Sequence, residues 1–178
     1  MCGISAIISK STDREEILKQ SLSKIVHRGS SNFEYKILEG AALGTNRLPL
    51  VGRLTGKQPV YNEDETIFAI LNGEIFNYKE LTSELKSKGH IFRSDSDTEV
   101  LVHLYEEYGD KMVEYIDSEM YAFVVFDTKT GDFYAARDRF GVKPFYYALD
   151  NRDKSYHFGS ELKQLVQFDF ITEVFDFP

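Results

Sequence analysis

Apolar and polar positions recur along this chain with two periods, and the two periods predict different elements. Mostly apolar, β-branched or aromatic runs bounded by Gly, Asn or Asp are typical of strands, and they occur at 3–9, 35–39, 41–48, 66–71, 120–126, 132–136, 143–149 and 155–159. Apolar residues at helical spacing predict helices from about 13 to 28 and at 78–88, 100–108, 111–116 and 160–167. Because the helices come in groups rather than after each strand, we expect stacked antiparallel sheets covered by helices, an α+β fold.

Capping residues set the expected ends of two helices. Ser11 or Thr12 is a candidate N-cap for the first helix, and Gly29 is a plausible C-terminal stop. The spacing Ser96-x-x-Glu99 is that of a capping box in front of the helix at 100–108.

Composition fits one acidic globular domain that covers residues 1–178. Hydrophobic residues make up 42% and aromatic residues 14%, and this abundance of rings favours strands over a helical bundle. The net charge of −8 implies a surface that repels phosphate backbones, so nucleic acid is not an expected partner. No signal peptide is apparent and no apolar run approaches the roughly 20 residues that span a bilayer, so we expect a cytoplasmic location and no membrane partner.

The cysteine and histidine content bears on redox and metal chemistry. One cysteine cannot form an internal disulfide, which favours a reducing compartment. The four histidines (His27, His90, His103 and His157) are scattered without metal-ligand spacing, so we expect no metal site and no cofactor in this domain.

Cys2 is the only cysteine, and it follows the initiator methionine directly. Removal of Met1 would leave a residue that carries a thiol nucleophile and a free α-amino group. That amine titrates near pH 7.7–8.0 when unperturbed, so it can act as the base for the thiol. The alternative is that Cys2 is an ordinary buried apolar residue.

Six segments, taken together and in order, resemble the glutaminase domain of class II glutamine amidotransferases, and most closely that of glutamine-hydrolysing asparagine synthetases. The segments are Cys2-Gly-Ile, His27-Arg-Gly, Arg47-Leu-Pro-Leu-Val, Leu71-Asn-Gly-Glu-Ile-Phe-Asn-Tyr, Ser94-Asp-Ser-Asp-Thr-Glu, and Ala136-Arg-Asp-Arg-Phe-Gly-Val-Lys-Pro-Phe-Tyr-Tyr with the later Phe158-Gly-Ser-Glu-Leu. The resemblance implies an N-terminal nucleophile hydrolase fold, a four-layer αββα sandwich of two antiparallel sheets flanked by helices.

The resemblance also implies a reaction and its catalytic residues. Glutamine would be hydrolysed to glutamate and ammonia, with Cys2 attacking the side-chain amide and forming a thioester. The Asn72 side chain and the Gly73 main-chain N–H would form the oxyanion hole. Considered alone, Asn72-Gly73 is more typical of a hairpin turn.

A zwitterionic substrate calls for one fixed positive and one fixed negative group. Arg47 suits the α-carboxylate of glutamine and Asp97 its α-ammonium, with Glu74 as a second acceptor. The main chain of Leu50 and Val51 would line the rest. Taken singly, Arg47 is as easily a surface ion-pair member and Asp97 a charge at a helix N-terminus, while residues 137–139 are expected to form a structural ion-pair cluster.

Departures from the family pattern leave alternative functions open. Ser30-Ser31 replaces Pro-Asp in the loop that helps cover the glutamine pocket of relatives. The alternatives are a non-catalytic module that binds glutamine or a partner, and an N-terminal nucleophile amidohydrolase for another amide. The resemblance also implies a synthetase domain that uses ATP and Mg²⁺, and we expect residues 1–178 not to include it. We therefore expect a fragment or a subunit that passes ammonia to a separate synthetase, with homo-oligomerisation left open.

Overall fold

The computed structural model describes residues 2–29, 33–48 and 56–171, which form two antiparallel sheets with helices outside them. The strands are Gly3–Ile8 (β1), Glu34–Leu38 (β2), Ala41–Asn46 (β3), Val60–Tyr61 (β4), Ile67–Gly73 (β5), Tyr121–Asp127 (β6), Phe133–Arg137 (β7), Tyr146–Asp150 (β8) and Ser155–Gly159 (β9). The α-helices are Arg14–Ser23 (α1), Tyr78–Ser87 (α2) and Val100–Tyr108 (α3). Strand order is β2-β3-β1-β9-β8 in the first sheet and β4-β5-β6-β7 in the second.

The inner faces of the two sheets pack against each other through alternate residues of their strands. Ile4 and Ala6 of β1 share one buried cluster with Phe68 and Ile70 of β5 and with Phe126 of β6. Side chains in a strand alternate between faces, so every second residue of each central strand enters this inner layer.

Helices cover both outer faces of the sandwich. Leu18 and Leu22 of α1 pack on Ile7 and Ala42 of the first sheet. Residues of α2 and α3 pack on the outward side chains of β5 and β6; the cluster includes Leu71, Phe123, Leu81, Leu85 and Leu101. The predicted α+β, four-layer αββα architecture is confirmed. None of the helices in the described ranges is long and apolar enough to cross a bilayer.

Strand β5 is longer than its sequence pattern predicts. It pairs with β6 from Ile67 opposite Asp127 to Gly73 opposite Tyr121, so Asn72 and Gly73 lie within the sheet. The hairpin turn that Asn-Gly alone predicts is therefore wrong, because the partner strand arrives from far along the chain.

Several helix ends differ from the prediction. Helix α1 ends at Ser23, and a separate 3₁₀ turn spans Val26–Arg28. The Asn46 side-chain amide donates to the carbonyls of Ile25 and Val26 and so supports that turn. The N-cap of α1 is Asp13, and no side-chain cap hydrogen bond is formed there.

The predicted capping box before α3 forms only in part. The Ser96 hydroxyl accepts a hydrogen bond from the N–H of Thr98, as an N-cap should. The Glu99 carboxylate instead accepts from the main chain of Arg93 and Ser94. The segments predicted as helices at 111–116 and 160–167 contain 3₁₀ turns, at Gly109–Tyr115 and Leu162–Gln164.

Candidate active site

Cys2 lies immediately before β1, beside the end of the neighbouring strand β3. Its Sγ accepts a hydrogen bond from the N–H of Leu48 at 3.3 Å and lies 3.5 Å from the Leu48 carbonyl oxygen. The pairing of Gly3 with Asn46 in the β1–β3 ladder places the two ends together. The thiol is thus held by main chain, at the edge of the sandwich, and is only half-buried.

Arg28 holds the main chain of Cys2. Its Nη1 donates to the Cys2 carbonyl oxygen at 3.1 Å, and its Nε donates to Glu161 at 2.5 Å. The same carboxylate pairs with His27 at 2.7 Å and Lys163 at 2.9 Å. The His27-Arg-Gly motif is part of the family resemblance, but the sequence gives its histidine and arginine no role. In the structure a buttress supports the main chain of Cys2 and consists of Arg28, Glu161, His27 and Lys163.

Gly29 completes the buttress because no side chain fits there. A Cβ at this position would lie 2.6 Å from the carbonyl oxygen of Asn46, which is a contact real Cβ atoms do not make. The chain therefore passes directly against the end of β3, and this close approach explains the glycine in the His27-Arg-Gly motif.

One pocket gathers five of the residues that sequence analysis selected: Cys2, Arg47, Gly73, Glu74 and Asp97. Leu48, Gln58, Leu71, Ser96 and Thr98 complete its lining. Leu50 and Val51 lie outside the described residues, as do Met1 and Ser30-Ser31.

Asn72 carries a buried donor with nothing to bind. The residue is only 1% exposed, and its Nδ2 has no hydrogen-bond partner among the described residues. Strand alternation puts its side chain on the inner face with Phe68 and Ile70, while the flanking residues of β5 line the pocket. An unpaired buried donor costs about 1–3 kcal/mol, so the fold retains an amide whose partner must come from elsewhere.

Gly73 is fixed by its own conformation. Its φ of +152° and a distance of 2.3 Å from a built Cβ to the Met120 carbonyl oxygen both exclude a side chain. This residue ends β5 and lines the pocket, where the absence of a side chain leaves its main chain uncovered by a Cβ.

Arg47 and Asp97 place opposite charges in the pocket lining, and both side chains are buried. The Asp97 carboxylate accepts a hydrogen bond from the N–H of Ile75 at 3.0 Å. Burial raises the pKa of Asp97, and the nearby charge of Glu74 raises that pKa further. A cation that binds beside Asp97 would relieve both effects, so the site favours a positively charged ligand group.

Gln58 is a pocket residue that sequence analysis missed. Its Oε1 accepts from the N–H of Leu71 at 2.8 Å, and its Nε2 donates to Thr98 Oγ1 at 3.2 Å. The buried amide therefore connects β5 to the turn that carries Asp97. The composition of residues 52–59 predicts a loop, and nothing in that composition distinguishes this glutamine.

The cluster at 137–139 has the structural role expected of it, but through different contacts. Arg137 donates to the carbonyl oxygens of Gly141 and Lys143, and Asp138 accepts from the N–H groups of Val142 and Lys143. These side chains hold the following turn by its main chain, where the sequence predicts ion pairs.

The fold is similar to that of a solved glutamine phosphoribosylpyrophosphate amidotransferase from B. subtilis, in a complex with ADP and GMP. The TM-score is 0.74 at 20% identity, and the match covers 93% of this chain and 43% of that one. The two proteins share a fold of two antiparallel sheets between helical layers.

Sequence comparison identifies the family. The pattern that defines the glutamine amidotransferase domain matches residues 1–176. Asparagine synthetase [glutamine-hydrolyzing] 1 of Bacillus subtilis is 41% identical over 171 residues, which are 93% of this chain and 27% of that protein. A putative asparagine synthetase [glutamine-hydrolyzing] 1 of Methanocaldococcus jannaschii is 41% identical over 186 residues, covering 93% and 33%. This chain belongs to the glutamine amidotransferase domain family, and it spans a third or less of these two relatives.

Because the Glu161 carboxylate of the buttress is ion-paired, we expect the stability of the fold to depend on pH. Burial raises the pKa of Glu161, but hydrogen bonds from Lys163, Arg28 and His27 outweigh burial and lower it from 4.5 to about 2. The ionised carboxylate therefore stabilises the fold above pH 4.5, and this contribution is lost as the pH falls towards 2. Between those values the wild type should lose on the order of 2 kcal/mol more unfolding free energy than Glu161→Gln. Urea titrations of both proteins from pH 6 to pH 2 measure this; parallel curves would contradict it.

Proposed function

We propose that this chain hydrolyses the side-chain amide of glutamine to glutamate and ammonia. The observation that carries the proposal is a single pocket that Cys2 lines together with the oppositely charged Arg47 and Asp97. Asn72 precedes the pocket residue Gly73 in β5, and its buried Nδ2 has no hydrogen-bond partner among the described residues. Cys2 Sγ attacks the amide carbon, and the resulting oxyanion accepts hydrogen bonds from Asn72 Nδ2 and the Gly73 N–H. The carbon–nitrogen bond breaks, ammonia leaves, and water then cleaves the thioester to give glutamate and the free thiol.

The Cys2 thiol proton needs an acceptor close to Sγ. With Met1 removed, the α-amino group of Cys2 takes that proton and later gives it to the departing nitrogen. Arg28 acts as a positioning residue, because its hydrogen bond to the Cys2 carbonyl fixes the residue that carries both the thiol and the amine. A chain that keeps Met1 would have an amide in place of this base.

Arg47 and Asp97 give the pocket its amino-acid character. The planar guanidinium of Arg47 binds both oxygens of an α-carboxylate, while Asp97, with Glu74 beside it, binds the α-ammonium. With both ends of the amino acid anchored, the length of the side chain decides whether its amide reaches Cys2. The main chain at Leu50 and Val51 remains a proposed part of this surface.

The ammonia passes, in our proposal, to an amide-forming synthetase. Support comes from the relatives: two proteins named glutamine-hydrolyzing asparagine synthetases match this chain over 27% and 33% of their lengths. The remaining length of such a protein is the proposed acceptor domain, and ATP and Mg²⁺ would act there. A catalytic thiol also has to stay reduced, which is consistent with a cytoplasmic setting.

The dependence of the rate on the length of the substrate's side chain tests the proposal directly. The purified protein should release glutamate from glutamine at least about 100-fold faster, as kcat/KM, than it releases aspartate from asparagine. Asparagine is one methylene shorter, so anchoring its α-groups leaves the amide short of Sγ. Equal rates on the two amino acids, or no hydrolysis of either, would contradict the proposal.

Replacing Asp97 by asparagine should separate binding from folding. Loss of the charged partner of the α-ammonium should raise KM for glutamine about 10–100-fold, the worth of a charge-assisted hydrogen bond. Because burial raises the pKa of Asp97, its ionised form opposes folding, and Asp97→Asn should unfold at a higher temperature at pH 8. The exposed neighbour Asp95→Asn is the matched control and should leave KM unchanged. An unaltered KM in Asp97→Asn would remove this residue from the binding site.

A further inference from the structure

A second cluster of polar side chains lies outside the pocket, at the far end of α3. Glu63, His90, His103 and Glu106 each offer one ligand atom, and these four atoms all lie within 4.8 Å of one another. They come from the β4–β5 turn, from the segment after α2 and from α3 itself. Because the four residues lie in separate segments of the chain, the spacing of the histidines along the sequence does not indicate this cluster.

We propose that these four residues form a binding site for a divalent transition-metal ion, with Zn²⁺ as the best fit. The Nδ1 atom of His103 lies 3.1 Å from Glu106 Oε2 and 3.5 Å from Glu63 Oε2. The Nδ1 atom of His90 lies 3.4 Å from Glu63 Oε1 and 3.5 Å from Glu106 Oε2.

These nitrogen–oxygen distances are close to the spacing of ligand atoms around zinc. With zinc bonds of about 2.0–2.1 Å to nitrogen and oxygen, two ligand atoms of a tetrahedral site lie about 3.3–3.4 Å apart. The four distances run from 3.1 to 3.5 Å, although Glu63 faces His103 with Oε2 and His90 with Oε1. With one atom from each residue the four ligands lie within 4.8 Å of one another, so binding would draw them slightly together. Two imidazoles and two carboxylates form a donor set that zinc accepts, and their charges balance a divalent ion.

One of the two histidines has a carboxylate behind it, which is the arrangement that orients metal-binding imidazoles. His90 directs its Nε2 to Glu107 Oε1 at 3.2 Å, while its Nδ1 faces the cluster. The Nε2 atom of fully buried His103 lies 4.0 Å from Glu99 Oε1 and has no hydrogen-bond partner among the described residues. Both imidazoles present Nδ1 to the centre.

The two glutamates are also held from behind. The N–H of Ile91 donates to Glu63 Oε1 at 2.7 Å, and Asn62 Nδ2 donates to Glu106 Oε1 at 2.8 Å. Three of the four proposed ligands, His90, Glu63 and Glu106, therefore have an outer hydrogen bond of their own. This support distinguishes the cluster from a chance group of surface acids, and it is independent of the proposed glutaminase activity.

A bound ion would join three segments that the chain otherwise connects only by packing and hydrogen bonds. The β4–β5 turn, the residues after α2, and α3 would share one centre. On binding, each histidine gives up its Nδ1 proton, so binding should weaken as the pH falls. Because the ion would join three elements of the fold, its proposed role is structural.

Cobalt and zinc titrations test the site. After chelator treatment and removal of any histidine tag, the protein should bind one equivalent of Co²⁺ with the visible absorption of a tetrahedral centre. Zn²⁺ should displace it, and the melting temperature should rise by several degrees in Zn²⁺. Glu106→Gln and His90→Gln should each weaken binding at least about 100-fold while their metal-free melting temperatures stay near that of the stripped wild type.

Two controls make the outcome decisive. Cys2→Ser removes the only thiol and should keep the full equivalent of metal, because the site does not use that residue. Glu84→Gln removes an exposed carboxylate of α2 and should change affinity less than twofold. Loss of binding in Cys2→Ser, equal binding in Glu106→Gln and wild type, or no tetrahedral absorption at all would overturn the proposal. In that last case the cluster is a network of protonated histidines and carboxylates.

Discussion

Replacing Cys2 by alanine is expected to abolish glutamate release, with a fall in kcat of at least about 10⁴-fold. The substitution removes the only thiol of the chain and with it the thioester route. The fold should persist, since the side chain is half-buried and, among the described residues, its Sγ hydrogen-bonds to the main chain of Leu48. The measurement is glutamate release under saturating glutamine, with thermal melting monitored in parallel. Unchanged turnover in a folded Cys2→Ala protein would exclude this residue as the nucleophile.

Blocking the α-amine provides the matched control for the thiol. A non-cleavable extension in front of Cys2 keeps Sγ but converts the base into an amide. We expect kcat to fall sharply in the extended protein while glutamine still binds, because Arg47 and Asp97 are untouched. Equal activity with and without the extension would show that another group accepts the thiol proton.

Truncation of Asn72 to alanine is expected to lower kcat about 10²–10³-fold with little change in KM. The substitution removes a hydrogen bond to an oxygen that carries full charge only in the transition state. Stability should change by less than about 1 kcal/mol, because the variant also removes a buried donor that has no partner among the described residues. Steady-state kinetics and urea unfolding of the same preparation measure both quantities.

Asn77 serves as the control, because both polar atoms of its side chain are hydrogen-bonded, in contrast to the unpaired Nδ2 of Asn72. Its Nδ2 donates to the Tyr115 carbonyl oxygen at 2.9 Å, and its Oδ1 accepts from the N–H of Asp117 at 3.0 Å. Asn77→Ala should therefore cost about 1 kcal/mol of stability and leave kcat unchanged. A loss of stability without a loss of kcat in Asn72→Ala would assign that residue a purely structural role.

Local sequence patterns predict most of the strands and helices, because alternating apolar residues reveal which face of a strand is buried. These patterns predict the two-sheet architecture less directly than the individual elements. The architecture is indicated only by the order of the elements, in which the helices come in groups rather than after each strand. Local patterns fail where a distant residue decides the local structure. Asn46, in another strand, supports the 3₁₀ turn that stands where the sequence predicts the end of the first helix. Pairing with β6 converts an apparent Asn72-Gly73 turn into the end of β5.

The residues of the candidate site also fall into two groups, those that the sequence indicates and those that only the fold reveals. An N-terminal cysteine and the motif residues Arg47, Gly73, Glu74 and Asp97 could be selected from the sequence, and the pocket contains all of them. Arg28 and Gln58 could not be assigned roles, because each acts by bridging main-chain groups that only the fold brings together. The four residues of the proposed metal site cannot be recognised from the sequence for the same reason, because only the fold brings them together.

Covalent labelling tests the central claim most directly. The intact mass of the purified protein is measured before and after exposure to a diazoketone that mimics glutamine. We predict a starting mass that lacks Met1, followed by a single adduct that excess glutamine prevents and Cys2→Ala eliminates. A starting mass that retains Met1 together with no adduct, or an adduct that glutamine does not block, would contradict the assignment of Cys2 as the nucleophile of a glutamine pocket.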